Sequence, residues 1–155
     1  MVKQGLATNL GSYVKGKSYQ ISFSDLQGTS GSGAKSFTLD TLGQGSLVLY
    51  VRVKHLTSFA GGNLTAMKVR VGKSGGTTNF FTNDFDVFQA PADGTLLEVS
   101  DPPAGQLSAM TLTATFTPTG DNCSAATAGL VAIDIFSLNI TTPTAVSLYG
   151  STQVL

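Results

Sequence analysis

The sequence predicts an all-β fold, an antiparallel β-sandwich, jelly-roll-like, of about eight or nine strands. Three observations carry that expectation. Apolar and polar residues alternate with period two along most of the chain, Gly, Pro, Asn and Asp clusters punctuate the runs at short intervals, and no stretch has the period of an amphipathic helix. The 155 residues suit one domain, and hydrophobic residues at 41% suffice for a core without cross-links. Charged residues make up only 12%, so the surface must be largely neutral and polar, as strands with outward Thr provide.

Residues 1–17 read as an N-terminal arm and 18–155 as the single sandwich domain. The arm mixes Gly5, Gly11 and Gly16 with polar residues in no sustained period. From Ser18, Tyr19, Ile21 and Phe23 alternate with polar residues as a half-buried strand, broken by Gly28 to Gly33. Phe37 and Leu39 mark a second, short strand before the Gly43-Gln44-Gly45 turn. Along Leu47 to Leu56, Leu47, Leu49, Val51 and Val53 are expected on one face, with Val48, Tyr50, Arg52 and Lys54 on the other. After a Gly-rich connection, Met67, Val69 and Val71 repeat the pattern with Lys68 and Arg70 facing away. The two runs read as a long-looped hairpin.

Phe80, Phe81, Phe85 and Phe88 follow, with spacing that suits either an irregular strand or one helical turn near Asp86 to Gln89. Thr95 to Ser100 is a short strand, and Asp101 to Gly105 the clearest break, read as an inter-strand loop. Met110, Leu112, Ala114 and Phe116 then alternate with Thr111, Thr113, Thr115 and Thr117, an apolar file facing in and a Thr file facing water. Leu130 to Ile140 is apolar on both faces, as a central strand covered on each side should be. Ala145 to Tyr149 adds a candidate edge strand.

No catalytic constellation emerges, and the chain is expected to be non-enzymatic. A nucleophile needs a base and a group to orient it, and His55 is the single histidine. It continues the parity of Val51 and Val53, as a partly buried strand-end residue. Cys123 has no basic neighbour in sequence to activate it, and as the single cysteine it forms no internal disulfide. Zinc requires more Cys and His than these. Asn83, Asp84 and Asp86 offer oxygens for calcium but lack the closing Glu of an EF-hand, so solvated loop acids are the preferred reading. No cofactor is expected. The N-terminus shows no signal-type apolar stretch, which suits synthesis in a cytoplasm, and no membrane span is expected.

Zero net charge conceals a division. Residues 1–73 carry nine bases and two acids, whereas residues 74–155 carry seven acids and no base. Either the two halves neutralise each other inside one fold, or basic and acidic faces meet between subunits. The candidate interface set is Tyr50, Arg52, Lys54, Lys68 and Arg70, expected on one hairpin face, with Asp84 and Asp86. The neutral total favours a protein contact over nucleic acid.

Several strings together resemble a family: FTLDTL at 37–42, VRVKH at 51–55, SFAGGNLTAMKVRVG at 58–72, DVFQAPAD at 86–93 and TGDNCSAATAGLVAIDIF at 119–136. They resemble small structural proteins of tailed phages and prophages. The resemblance covers residues 35–138, and Phe136 departs from it where many relatives have Trp. It implies a virion component made in the host cytoplasm, a head decoration or cement protein that binds the major capsid protein or other virion proteins as a homo-oligomer, with a trimer favoured. The alternative is a head-fibre or tail-associated domain that binds a receptor or glycan. The absence of Trp among the aromatics counts against glycan stacking.

Overall fold

The computed structural model describes residues 14–27, 33–76, 78–88, 96–98, 104–105 and 108–139. In chain order the elements are β1 (Val14–Ser22), the single-turn helix α1 (Phe23–Leu26), β2 (Lys35–Leu42), β3 (Ser46–Ala60), β4 (Ala66–Lys73) and β5 (Phe85–Asp86). Then come β6 (Leu96–Glu98), β7 (Ala104–Gly105), β8 (Met110–Thr119), a 3₁₀ turn (Cys123–Ala125) and β9 (Ala128–Asn139). They form two antiparallel sheets, the sandwich that the alternation predicts. The first has the order β1-β9-β3-β6, with β7 pairing elsewhere along β3, and the second has the order β2-β8-β4-β5.

Between the sheets lies one core. Val51 and Val53 of β3, Ile133 and Ile135 of β9, Met67, Val69 and Val71 of β4, and Leu112, Ala114 and Phe116 of β8 are each no more than 1% exposed. Each large side chain buried this way contributes roughly 1.5–3 kcal/mol. The period-two files of β4 and β8 thus face inward as expected, and β9 is central in its sheet.

Three expectations need correction. First, β3 and β4 are not a hairpin. β4 pairs with β8 and β5 in the second sheet, while β3 pairs with β9, β6 and β7 in the first. The Gly61–Gly62 connection therefore crosses from sheet to sheet, a route that periodicity within each strand cannot reveal. Second, β3 does not keep one parity. Val48 pairs with Ser137 and Tyr50 with Phe136, so Leu49 is the extra residue of a β-bulge. Ser46 and Val48 consequently turn inward, 2% and 3% exposed, and Leu47 does not. Third, Thr113 and Thr115 are buried rather than solvated. β8 lies between β2 and β4, whose side chains close over it; Ser36 and Thr115 share a 2.9 Å hydroxyl hydrogen bond.

Strand β1 begins at Val14, so residues 14–17, assigned to the arm from sequence, already pair with β9. The rest of the arm and the candidate strand at Ala145 to Tyr149 lie outside the described residues. The aromatic region resolves into the short β5, with Phe81 and Val87 in the core and Phe80, Phe85 and Phe88 packed against it.

Local chemistry closes the ends. Asp25 accepts the Ser22 main-chain N–H at 2.8 Å and its hydroxyl at 2.7 Å, which caps α1 and lowers the Asp25 carboxyl below its ordinary range. The turn seats Leu26, fully buried, under the sandwich. Asp121 accepts the main-chain N–H groups of Asn63 and Asn122 at 3.0 and 2.8 Å, tying the crossing after β3 to the one after β8. At the open edge, Lys17 on β1 meets Asp40 on β2 at 2.7 Å and links the two sheets.

Candidate functional site

The interface candidates divide between two opposite surfaces. Tyr50, Arg52 and Lys54 lie on the outer face of the first sheet, whereas Lys68 and Arg70 lie on the outer face of the second, because β3 and β4 belong to different sheets. Asp84 and Asp86 join the second group. Lys68 pairs in register with Asp86, and Arg70 lies 3.5 Å from the Asp84 carboxylate. Asp86 also accepts the Phe88 main-chain N–H at 2.9 Å. Both acids are thus engaged by protein groups, and among the described residues no three His, Cys, Asp or Glu side chains gather as a metal site would need.

On the first sheet, register builds three cross-strand rows. Gly16, Phe136 and Tyr50 form one, Ser18, Asp134 and Arg52 the next, and Gln20, Ala132 and Lys54 the third. Asp134, a lone acid in the otherwise apolar run of β9, is the centre of this surface. One carboxylate oxygen accepts the Ser18 hydroxyl at 2.7 Å. The other accepts Arg52 Nε at 2.9 Å and its terminal nitrogen at 2.6 Å, and the Lys54 ammonium lies 2.7 Å away. The Asp134 side chain is only 7% exposed, against 28% for Arg52 and 30% for Lys54. Burial pushes the carboxyl up, but hydrogen bonds from Lys54, Ser18 and Arg52 outweigh it and hold the group at about 2.

Beside the charged row, the Phe136 ring is 37% exposed and lies 5.9 Å, centroid to centroid, from Tyr50. A Cβ at Gly16 would sit 3.0 Å from that ring, so the glycine is what lets the ring lie down over β1. An open cleft of about 380 Å³ results, lined by Gly16, Lys17, Ser18, Arg52, Lys54, Asp134 and Phe136. Sequence reasoning found the cations but missed their carboxylate. The available signal was a lone acid inside an apolar run, since a carboxylate in a central strand must be paired.

The ion pairs also bear on the charge division. Arg52 and Lys54 with Asp134, and Arg70 with Asp84, each join a base of the first half to an acid of the second within one chain. At these positions the division closes inside the fold.

His55 and Cys123 belong to the interior. His55 is 3% exposed, packs edge-on against Phe85 at 6.2 Å, and its Nε2 has no hydrogen-bond partner among the described residues. Burial lowers its pKa, opposed by Asp86 and the main chain of Val87 and Thr57. The unfolded chain therefore binds a proton here more readily than the folded one. Stability from this group is complete above about pH 6.5 and falls as the pH drops below that value. The melting temperature should decline between pH 7 and pH 5, and His55→Gln should flatten that decline; an equal slope in both proteins would remove His55 as its source. Burial likewise raises the Cys123 thiol, whose Sγ lies 3.8 Å from the Phe116 carbonyl, so it stays protonated and inert.

The sequence matches no family model and no curated protein. The fold does have counterparts among solved structures. A chain in the cyanophage Pam1 capsid asymmetric unit superposes with a TM-score of 0.55 at 16% identity, covering 81% of this chain and 84% of that one. A chain in the acid-stable capsid structure of Helicobacter pylori bacteriophage KHP30 gives 0.54 at 15% identity, covering 81% and 87%. At such identities the likeness is one of fold: a small all-β sandwich shared with chains of phage capsid structures.

Proposed function

We propose that this chain is a non-enzymatic structural protein of a phage virion, a decoration or cement protein that binds the head shell and stabilises it. The strand order carries the reading. An order of 1-9-3-6 in one sheet and 2-8-4-5 in the other supports the double Greek-key winding of a jelly roll, an architecture used in viral capsids. The two fold relatives come from phage capsid structures, and the match spans 84–87% of their length. In these two cases the likeness is to nearly the whole chain, as suits a decoration protein.

On this reading the partner is the major capsid protein or another virion protein, and the chain acts as a homo-oligomer, a trimer in the simplest case. Modest contacts repeated by shell symmetry add through effective concentration, so each copy needs only weak affinity. The test is electron cryomicroscopy of the particle that encodes the chain, paired with thermal challenge of heads made without it. Density on the head exterior and earlier genome release on heating are expected. Density on the tail would move the protein to the receptor-binding reading, and unchanged heat resistance would remove the stabilising role.

A further inference from the structure

We infer that residues 85–88 form an acid-sensitive latch between the two sheets, closed over neutral His55 and released locally when His55 takes up a proton. Such a device works in the isolated chain and needs no virion partner.

The latch joins the sheets through few bonds. Its first half is β5, a two-residue edge strand paired with β4. Val87 follows, fully buried, and its main chain reaches both ways. The Val87 N–H donates to the Met67 carbonyl of β4 at 2.7 Å, and the Val87 carbonyl accepts the Phe59 N–H of β3 at 2.9 Å. Beside this crossing β3 is irregular. His55 pairs with Val131 and Thr57 with Leu130, so Leu56 is the extra residue of a β-bulge, its side chain exposed.

His55 lies at that bulge, its ring edge-on to Phe85 and its Nε2 buried with no hydrogen-bond partner among the described residues. A bare lone pair on a neutral ring costs little beside a bare N–H on a cation that has also lost its hydration. Val131, across from His55 on β9, and Val69, across from Phe85 on β4, are apolar and fully buried. Asp86 is the carboxylate that draws a proton towards His55, and it already accepts the Phe88 N–H. Of the neighbouring cations, Lys54 pairs with Asp134, and Lys68 stands in register with Asp86. Burial outweighs Asp86 and the main chain of Val87 and Thr57, so the closed latch holds His55 neutral. Opening hydrates the ring and restores its ordinary proton affinity, so the open form gains on the closed one as the pH falls below about 6.5. A short edge segment opens at lower cost than the sheets unfold, and its release uncovers Phe85 and Val87.

Residue-by-residue amide hydrogen exchange of the full chain, at about pH 7 and about pH 5 with low urea added, tests the latch. The Phe59 and Val87 amides should exchange at least about a hundredfold faster than those of Ile133 and Ile135 in β9, through an opening that urea barely promotes. Their protection should fall about tenfold from the higher pH to the lower, and His55→Gln should abolish that fall. Asp86→Asn, which keeps an acceptor for Phe88 but removes the charge that favours a closed cation, should preserve or enlarge it. Exchange of Phe59 and Val87 at the rate of Ile133, with the same urea dependence, would mean that the segment opens only with the whole fold and would overturn the inference. So would protection that ignores pH, a fall that survives in His55→Gln, or one that shrinks in Asp86→Asn.

Discussion

Replacing Gly129 with alanine is expected to lower stability by about 4 kcal/mol, or to prevent folding outright. Gly129 opens β9 with φ near 135°, a region that side chains rarely enter. A Cβ there would lie 2.3 Å from two ring atoms of Phe59. That ring cannot retreat, because Phe59 is fully buried and packs against Phe116 at 5.6 Å in the centre of the core. Backbone strain of about 1–3 kcal/mol and overpacking of a similar size act together. Urea unfolding of the purified variant measures the loss, and a midpoint near that of wild type would show that the contact relaxes freely. The double variant Gly129→Ala with Phe59→Leu should recover part of the deficit, since shrinking the ring removes the clash but not the strain.

Asp134→Asn is expected to lower stability by about 2 kcal/mol at pH 7, the equivalent of a carboxyl shifted from 3.8 to about 2. The asparagine keeps the shape and an acceptor for Ser18 but removes the carboxylate charge that Arg52 and Lys54 share. The pH dependence follows from the sign of the shift. The folded carboxyl binds protons less readily than the unfolded one, so its contribution is complete above about pH 4 and disappears as the pH falls through about 2. Wild type and variant should therefore differ most at neutral pH and converge near pH 2. Chemical denaturation across that range measures the gap, and a gap that persists unchanged at pH 2 would contradict the electrostatic account. His55 acts over a different window, below about pH 6.5, and so does not obscure this one.

Much of the fold was legible because each strand of a sandwich records its own two faces. Met110 to Thr117 and Met67 to Val71 declare their inward sides residue by residue, and the apolar run from Leu130 announces a central strand. What such patterns do not record is which strand lies next to which. A β3 that turns back onto β4 and a β3 that crosses to the other sheet expose the same alternation at Val51, Val53, Val69 and Val71. The choice is made by non-local pairing, with β9 taking both flanking positions, beside β1 and β3. The bulge at Leu49 was hidden for a related reason: the residues on either side are apolar, so either parity satisfies the hydrophobic pattern. The site was half legible. Arg52 and Lys54 stood out as charges on a strand, but Asp134, more than 80 positions later in the sequence, gains its meaning only from the register that sets it between Arg52 and Ser18.

That same register governs when the protein can fold. Ser18 and Asp134 are 116 residues apart, and the whole seam between β1 and β9 joins the two ends of the described chain. Pairing at such separations makes folding slow, because long loops must close before any contact rewards them. During synthesis β1 and β3 emerge without the strand that lies between them, and the first sheet has no middle until residue 139 has left the ribosome. Assembly of each copy is thus timed by the completion of its last described strand.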